Sequence, residues 1–167
     1  MEATFEEFVV VRGDALLRFA LMLSGDRGRA EDLVQSVLIK AYPRWVRIVA
    51  MERPEAYLKT LLAHEHLRWW RRRSSTEMPV AEPGEDGRSP VKDPAASQAS
   101  RDAAWQLLGR LPRRQRTVLV LRYYEDLPDA EIASILGCSE TTVRSQAARA
   151  LAALRIAIPS MDPEALP

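Results

Sequence analysis

Thr141, Arg144, Ser145, Ala148 and Arg149 fall on one side of a helical stretch, opposite Val143, Ala147 and Leu151. Short side chains near the start of a helix let its backbone approach a DNA groove, and arginines on the same face can fork onto guanine edges or phosphates. Ahead of this stretch, Gly137-Cys138-Ser139 breaks and restarts the chain: glycine suits a left-handed residue and the serine hydroxyl an N-cap. Before the break, Asp129 to Leu136 reads as a short amphipathic helix with Ile132, Ala133 and Leu136 on one side. Short helix, glycine turn and longer capped helix together have the form of a helix-turn-helix. The chemistry this constellation suits is recognition of a polyanion. The same pattern also suits an ordinary αα-hairpin with a solvated polar face. Glu125, Asp126 and Glu140 lie close by, so affinity from this half alone should be modest and strongly salt-dependent.

Other candidate chemistry is sparse. Arginines cluster at Arg71-Arg72-Arg73 and again at Arg113-Arg114-Gln115-Arg116. His64-Glu65-His66 has the residue types of a metal site, but on a helix residues two apart diverge, whereas a zinc pair wants i and i+4. The chain has 2 His and 1 Cys, so no set can be completed, and Cys138 cannot form an internal disulfide. No Ser/His/Asp or Cys/His arrangement, phosphate-cradling glycine loop or paired catalytic carboxylate is legible. Neither metal nor cofactor is expected.

The elements that must position these residues read as helices throughout. Phe5, Phe8, Val9, Leu16, Leu17, Ala20, Leu21 and Leu23 suit one helix or a pair broken at Gly13, followed by a turn at Ser24-Gly25-Asp26-Arg27-Gly28. Leu33, Val34, Val37, Leu38, Ala41, Tyr42 and Trp45 form a stripe at the helical period. Pro54 suits the first position of a further helix, striped by Tyr57, Leu58, Leu61, Leu62, Trp69 and Trp70, with Glu65 and His66 on the same stripe. That position favours core packing for both tryptophans and for His66. Further on, a helix from about 101 to 111 stops at Pro112, and another runs from about 113 to 124. The last helix buries Val143, Ala147, Ala150, Leu151 and Leu154. No strand-like alternation occurs, and the fold class expected is all-α.

Between these helical flanks the texture changes. Residues 74–99 carry Pro79, Pro83, Pro90 and Pro94 and hold 2 Lys+Arg against 5 Asp+Glu. Their scattered apolar residues cannot bury a face, so a flexible, Pro-rich acidic linker between two small domains is expected. The organisation expected is 1–75, linker 76–99, a helix-turn-helix domain 100–158 and a tail 159–167. The chain of 167 residues carries a net charge of +1, so distribution matters more than total charge: residues 1–73 hold 13 Lys+Arg against 10 Asp+Glu. With no apolar run near the roughly 18 residues of a membrane span and an acidic start where a signal peptide would be basic, a soluble cytoplasmic protein is expected.

Two segments together resemble a known family. Ala30-Glu31-Asp32-Leu33-Val34-Gln35-Ser36 is similar to the acidic-Leu-Val-Gln signature of bacterial extracytoplasmic-function (ECF) sigma factors, and the stretch from Asp126 through Leu151 resembles their C-terminal domain. Trp69-Trp70-Arg71-Arg72-Arg73 and Leu111-Pro112-Arg113-Arg114-Gln115-Arg116 also fit, and Tyr42-Pro43-Arg44-Trp45 looks most like the actinobacterial sigma-E-like subgroup. The resemblance implies a promoter-specificity subunit that acts with core RNA polymerase, through the largest-subunit clamp coiled coil and the flap, and with promoter DNA. An anti-sigma factor is a further partner it suggests. Asp32, Gln35 and Ser36 would face the coiled coil, with Arg44 and Arg47 adding contacts. A flipped base of the minus-ten element would enter beside Met51 and Arg53, against a helix face with Leu61 and His64, while Arg68, Arg71, Arg72 and Arg73 grip phosphates. Thr141, Arg144, Ser145, Ala148 and Arg149 would read the minus-thirty-five element, with Arg113, Arg114 and Arg116 on phosphates. The competing reading is a stand-alone helix-turn-helix regulator whose N-terminal bundle senses a ligand or dimerises. A small helical enzyme is a third and weaker alternative.

Overall fold

The computed structural model describes residues 3–76 and 98–157, and every regular element among them is helical. The chain divides into two compact units, Met1–Pro83 and Gly84–Pro167. The expected linker lies outside the described residues except at its ends, where helices reach Thr76 and begin at Gln98. The expected tail also lies outside them.

In the first unit, α1 spans Phe5–Ser24, α2 Arg27–Ala41, α3 Trp45–Val49 and α4 Pro54–Thr76. Thr4 starts α1 with a capping box: its hydroxyl accepts from the Glu7 amide at 3.2 Å, and its own amide donates to the Glu7 carboxylate at 2.9 Å. Gly13 does not break this helix. Leu16, Phe19, Ala20 and Leu23 are buried beyond it, and their packing outweighs the roughly 1 kcal/mol that glycine costs a helix interior. At the end of α1, Gly25 sits at φ 69°, and Asp26 caps α2 through the Arg29 amide at 2.9 Å.

Helices α1, α2 and α4 pack against one another. The fully buried seam of α2 is Ala30, Val37 and Ala41, whereas Leu33, Val34 and Leu38 are only half-buried. Small alanines bring α2 close to its neighbours and turn the larger residues to the flank. From α4, Leu58, Leu62, Ala63 and His66 enter the core. Glu65, which shares their stripe, is held by the Lys40 ammonium at 2.6 Å, so its charge is paired as it leaves water. Trp45 anchors α3: its indole donates to the Ala3 carbonyl at 3.1 Å and packs on Phe5 and Phe8.

In the second unit, α5 spans Gln98–Arg110, α6 Arg113–Leu119, α7 Asp129–Leu136 and α8 Glu140–Ala157. The helix expected to run unbroken to 124 widens into a π-helical turn over Val120–Tyr124, where the Glu125 amide reaches back to the Val120 carbonyl at 3.2 Å. Val118, Leu119, Val120 and Leu121 are all buried, more consecutive core positions than one face of a regular helix presents. Widening the turn accommodates them. Both α6 and α7 pack on α8.

Candidate functional site

The helix-turn-helix is built by short-range chemistry. Gly137 adopts φ 63°, and the Cys138 amide donates to the Ala133 carbonyl at 3.0 Å, which closes the end of α7. Ser139 starts α8, its hydroxyl accepting from the Thr142 amide at 3.1 Å. Asp129, at the start of α7, pairs with Arg122 at 3.1 Å and ties α7 to the π-helical turn. On α8, Val143, Ala147 and Ala150 are fully buried, and Leu151 and Leu154 are half-buried. The opposite face presents Thr141, Arg144, Ala148 and Arg149 to solvent, with Ser145 half-buried and its hydroxyl donating to the Thr142 carbonyl at 3.0 Å. Arg144 lies 4.0 Å from Glu140, too long for a tight pair, so its guanidinium is not committed to that acid.

Of the neighbouring arginines, Arg114 is exposed and Arg113 half-buried. Arg116 is a correction. It is 2% exposed, and its guanidinium donates to the carbonyls of Leu108 at 2.9 Å, Gly109 at 3.2 Å and Leu111 at 3.3 Å. Those carbonyls close α5 and its exit, where a helix carries unsatisfied acceptors and the negative end of its dipole. Arg116 is therefore a structural cap, with no fork left for a DNA phosphate.

In the first unit, an open groove of about 830 Å³ runs between α1 and α2. Phe5, Leu17, Val34, Leu38, Ile39 and Tyr42 make it apolar, Gly13 keeps one wall low, and Asp14, Glu31, Asp32 and Gln35 edge it. Ile39 is 67% and Tyr42 60% exposed, a large apolar area to leave in water. Asp32 and Gln35 thus share one groove, whereas Ser36 is half-buried and does not line it. The sequence places Leu17 on the apolar stripe of the first helix and does not single out Asp14; neither is expected at a site, because groove formation depends on how α1 and α2 approach. Arg44 and Arg47 are exposed near α3, and Arg44 lines a separate small cavity with Lys40, Leu61 and Glu65. Its volume is about 80 Å³. Met51, Arg53 and His64 are exposed, Leu61 is half-buried, and Arg68, Arg71, Arg72 and Arg73 line the exposed side of the last turns of α4.

Trp69 also corrects the expectation. Trp69 is 38% exposed and Trp70 half-buried, and the indoles stand at 90° with ring centres 4.4 Å apart. His66 is buried as expected, facing Trp70 edge-on at 6.5 Å. Among the described residues, no three His, Cys, Asp or Glu side chains converge and no helix is long and apolar enough to cross a membrane.

An all-helical chain in two units, one with a partner-sized apolar groove and one with a helix-turn-helix, has the build of a modular DNA-binding transcription protein. Comparison with known proteins narrows this class. Sigma-70 region 2 matches residues 10–76 and Sigma-70, region 4 matches residues 101–154. The RNA polymerase sigma-E factor of Streptomyces coelicolor is 38% identical over 96% of this chain and 89% of its own length. The ECF RNA polymerase sigma factor SigL of Mycobacterium tuberculosis is 30% identical over 95% and 88%. Among solved structures, the sigma factor RpoE of Bartonella quintana, crystallised with the anti-sigma factor NepR, aligns with a TM-score of 0.70 at 26% identity, covering 95% of this chain and 98% of that one. The chain belongs to the ECF group of RNA polymerase sigma factors, proteins of transcription initiation.

Proposed function

We propose that this chain binds core RNA polymerase as a non-catalytic subunit and directs initiation at promoters of its own specificity. The observation that carries the reading is the division of α8, with Val143, Ala147 and Ala150 buried and Thr141, Arg144, Ala148 and Arg149 outward behind a glycine turn. That outward face, with Ser145, reads the minus-thirty-five element, and Arg113 and Arg114 contact its phosphates. The α1–α2 groove seats the clamp coiled coil, with Asp32 and Gln35 on its edge, Ser36 beside it, and Arg44 and Arg47 adding contacts from the next turn. Met51, Arg53, Leu61 and His64 receive the minus-ten element, and Arg68 and Arg71 to Arg73 hold its backbone. The domains are 1–75 and 100–158. The protein works in the cytoplasm, nucleoid-associated when in holoenzyme, and the co-crystallised relative supports an anti-sigma factor as a further partner.

Pull-down of the tagged chain with core polymerase, followed by run-off transcription from a promoter library, tests this. Stable binding and promoter-specific transcripts are expected, both lost with Asp32→Arg. Promoter binding by the free chain at physiological salt, without core binding, would instead indicate a stand-alone regulator.

A further inference from the structure

Asp14 of α1 and Asp32 of α2 line the same groove from its two walls, and the fold places them at the same end of it. Helices α1 and α2 pack together across the short connection at Gly25-Asp26, so they run antiparallel. The Phe5 ring meets the Tyr42 ring at 5.1 Å, where the start of α1 lies against the end of α2. Equal steps from that contact along the two helices bring Asp14 level with Asp32. The groove is therefore polarised along its length. One end is aromatic and aliphatic, with Phe5, Ile39 and Tyr42, and the other is acidic.

Glu31, at the same end, accepts from Arg27 at 2.8 Å. Asp14 and Asp32 differ: both are exposed, and among the described residues neither side chain enters a hydrogen bond or an ion pair. Arg18, one turn along α1 from Asp14, makes no ion pair with it. Two unpaired like charges at one end of an apolar groove repel each other and stabilise nothing in the free chain. Local conflicts of this kind are kept at functional surfaces. A cation brought between the walls satisfies both carboxylates, and the other end of the groove suits an aliphatic stripe. That charge and apolar complementarity fits one cationic amphipathic helix. We infer that Asp14 is a second polymerase-contact residue, which with Asp32 grips one basic side chain of the docked clamp helix while the apolar residues of that helix pack at the Phe5–Tyr42 end. This rests on the proposed function, which seats the clamp coiled coil in this groove.

The test is equilibrium binding of the full chain to core polymerase across a salt series. Asp14→Asn should weaken binding about tenfold at low salt and flatten its salt dependence. Asp14→Glu keeps the charge and should recover most of the affinity. Ile39→Ser, at the apolar end, should also weaken binding about tenfold but leave the salt dependence of the wild type. Glu52→Gln removes the same charge from an exposed loop outside the groove and should change neither. Thermal melting separates contact from support. Relief of like-charge repulsion should leave Asp14→Asn melting at or slightly above the wild-type temperature, against the direction of its affinity. Wild-type affinity and salt dependence in Asp14→Asn, with Asp32→Arg still abolishing binding, overturn the inference alone. So does a loss in Asp14→Asn that Asp14→Glu does not recover, or one accompanied by early melting. Failure of the wild-type chain to bind core polymerase overturns the proposed function beneath it.

Discussion

Replacing Arg116 with methionine keeps an unbranched side chain of similar reach and removes every donor. In the native unit the guanidinium serves three carbonyls, at Leu108, Gly109 and Leu111, with 2% of the residue exposed. The Leu108 carbonyl keeps the Leu111 amide at 3.1 Å, so the carbonyls of Gly109 and Leu111 are the ones that lose their side-chain donor, at about 1 kcal/mol or more each. Loss of the cation at the end of α5 adds several tenths, and relief from burying the charge returns part of the sum. The expected net loss is roughly 2 kcal/mol. A unit of about 60 residues holds roughly 3–9 kcal/mol in total, so the change removes a sizeable part of its stability and should lower its melting temperature by about 10 °C. Circular dichroism melting of the full chain measures the loss, and amide hydrogen exchange localises it. Protection should fall in α5, α6 and α8 and stay unchanged in α1, α2 and α4. Unchanged melting and exchange, together with a promoter-binding salt slope reduced by about 1, would refute the cap and make Arg116 a phosphate ligand after all.

Other substitutions probe the remaining local devices. Gly137→Ala meets no atom within 4 Å but forces a side chain into φ 63°, so it should cost the second unit about 1 kcal/mol through backbone strain alone; equilibrium urea unfolding measures it. Thr4→Ala removes the capping box of α1 and should cost the first unit about 1 kcal/mol by the same assay. Gly13→Ala places a methyl no closer than 3.9 Å to its nearest neighbour, the Val9 side chain, and should stabilise α1 by about 0.5–1 kcal/mol. Because Gly13 lines the groove, pull-down of core polymerase with this variant also reports whether the groove tolerates a higher wall.

The parts legible in the sequence are those whose causes are local. Gly137 and Ser139 mark a left-handed closure and a cap within three residues, and α7 came out with the boundaries expected. The two faces of α8 followed from helical period alone, with Val143, Ala147 and Ala150 inside. What escaped depends on a second element. Arg116 looks like part of a basic surface run until the end of α5 brings three carbonyls over it. Trp69 looks like core until Arg29, forty residues earlier in the chain, is found over its ring. The stripe on α2 had the right period but the wrong centre, because alanines rather than leucines make the closest approach. The π-helical turn follows four consecutive apolar residues, a pattern that periodicity reads only as a generously apolar helix.

On α8, the residues that hold the helix and the residues it shows to solvent are separate sets, and the holding set is small and aliphatic: Val143, Ala147 and Ala150. A substitution at Thr141, Arg144, Ala148 or Arg149 changes what the helix can meet while leaving its seat untouched, and exposed changes of that kind usually shift stability by less than about 0.5 kcal/mol. Address and scaffold can therefore drift independently. Duplicated copies of such a chain could diverge in what this face meets through a handful of outward changes, each nearly neutral for folding, without passing through an unstable ancestor.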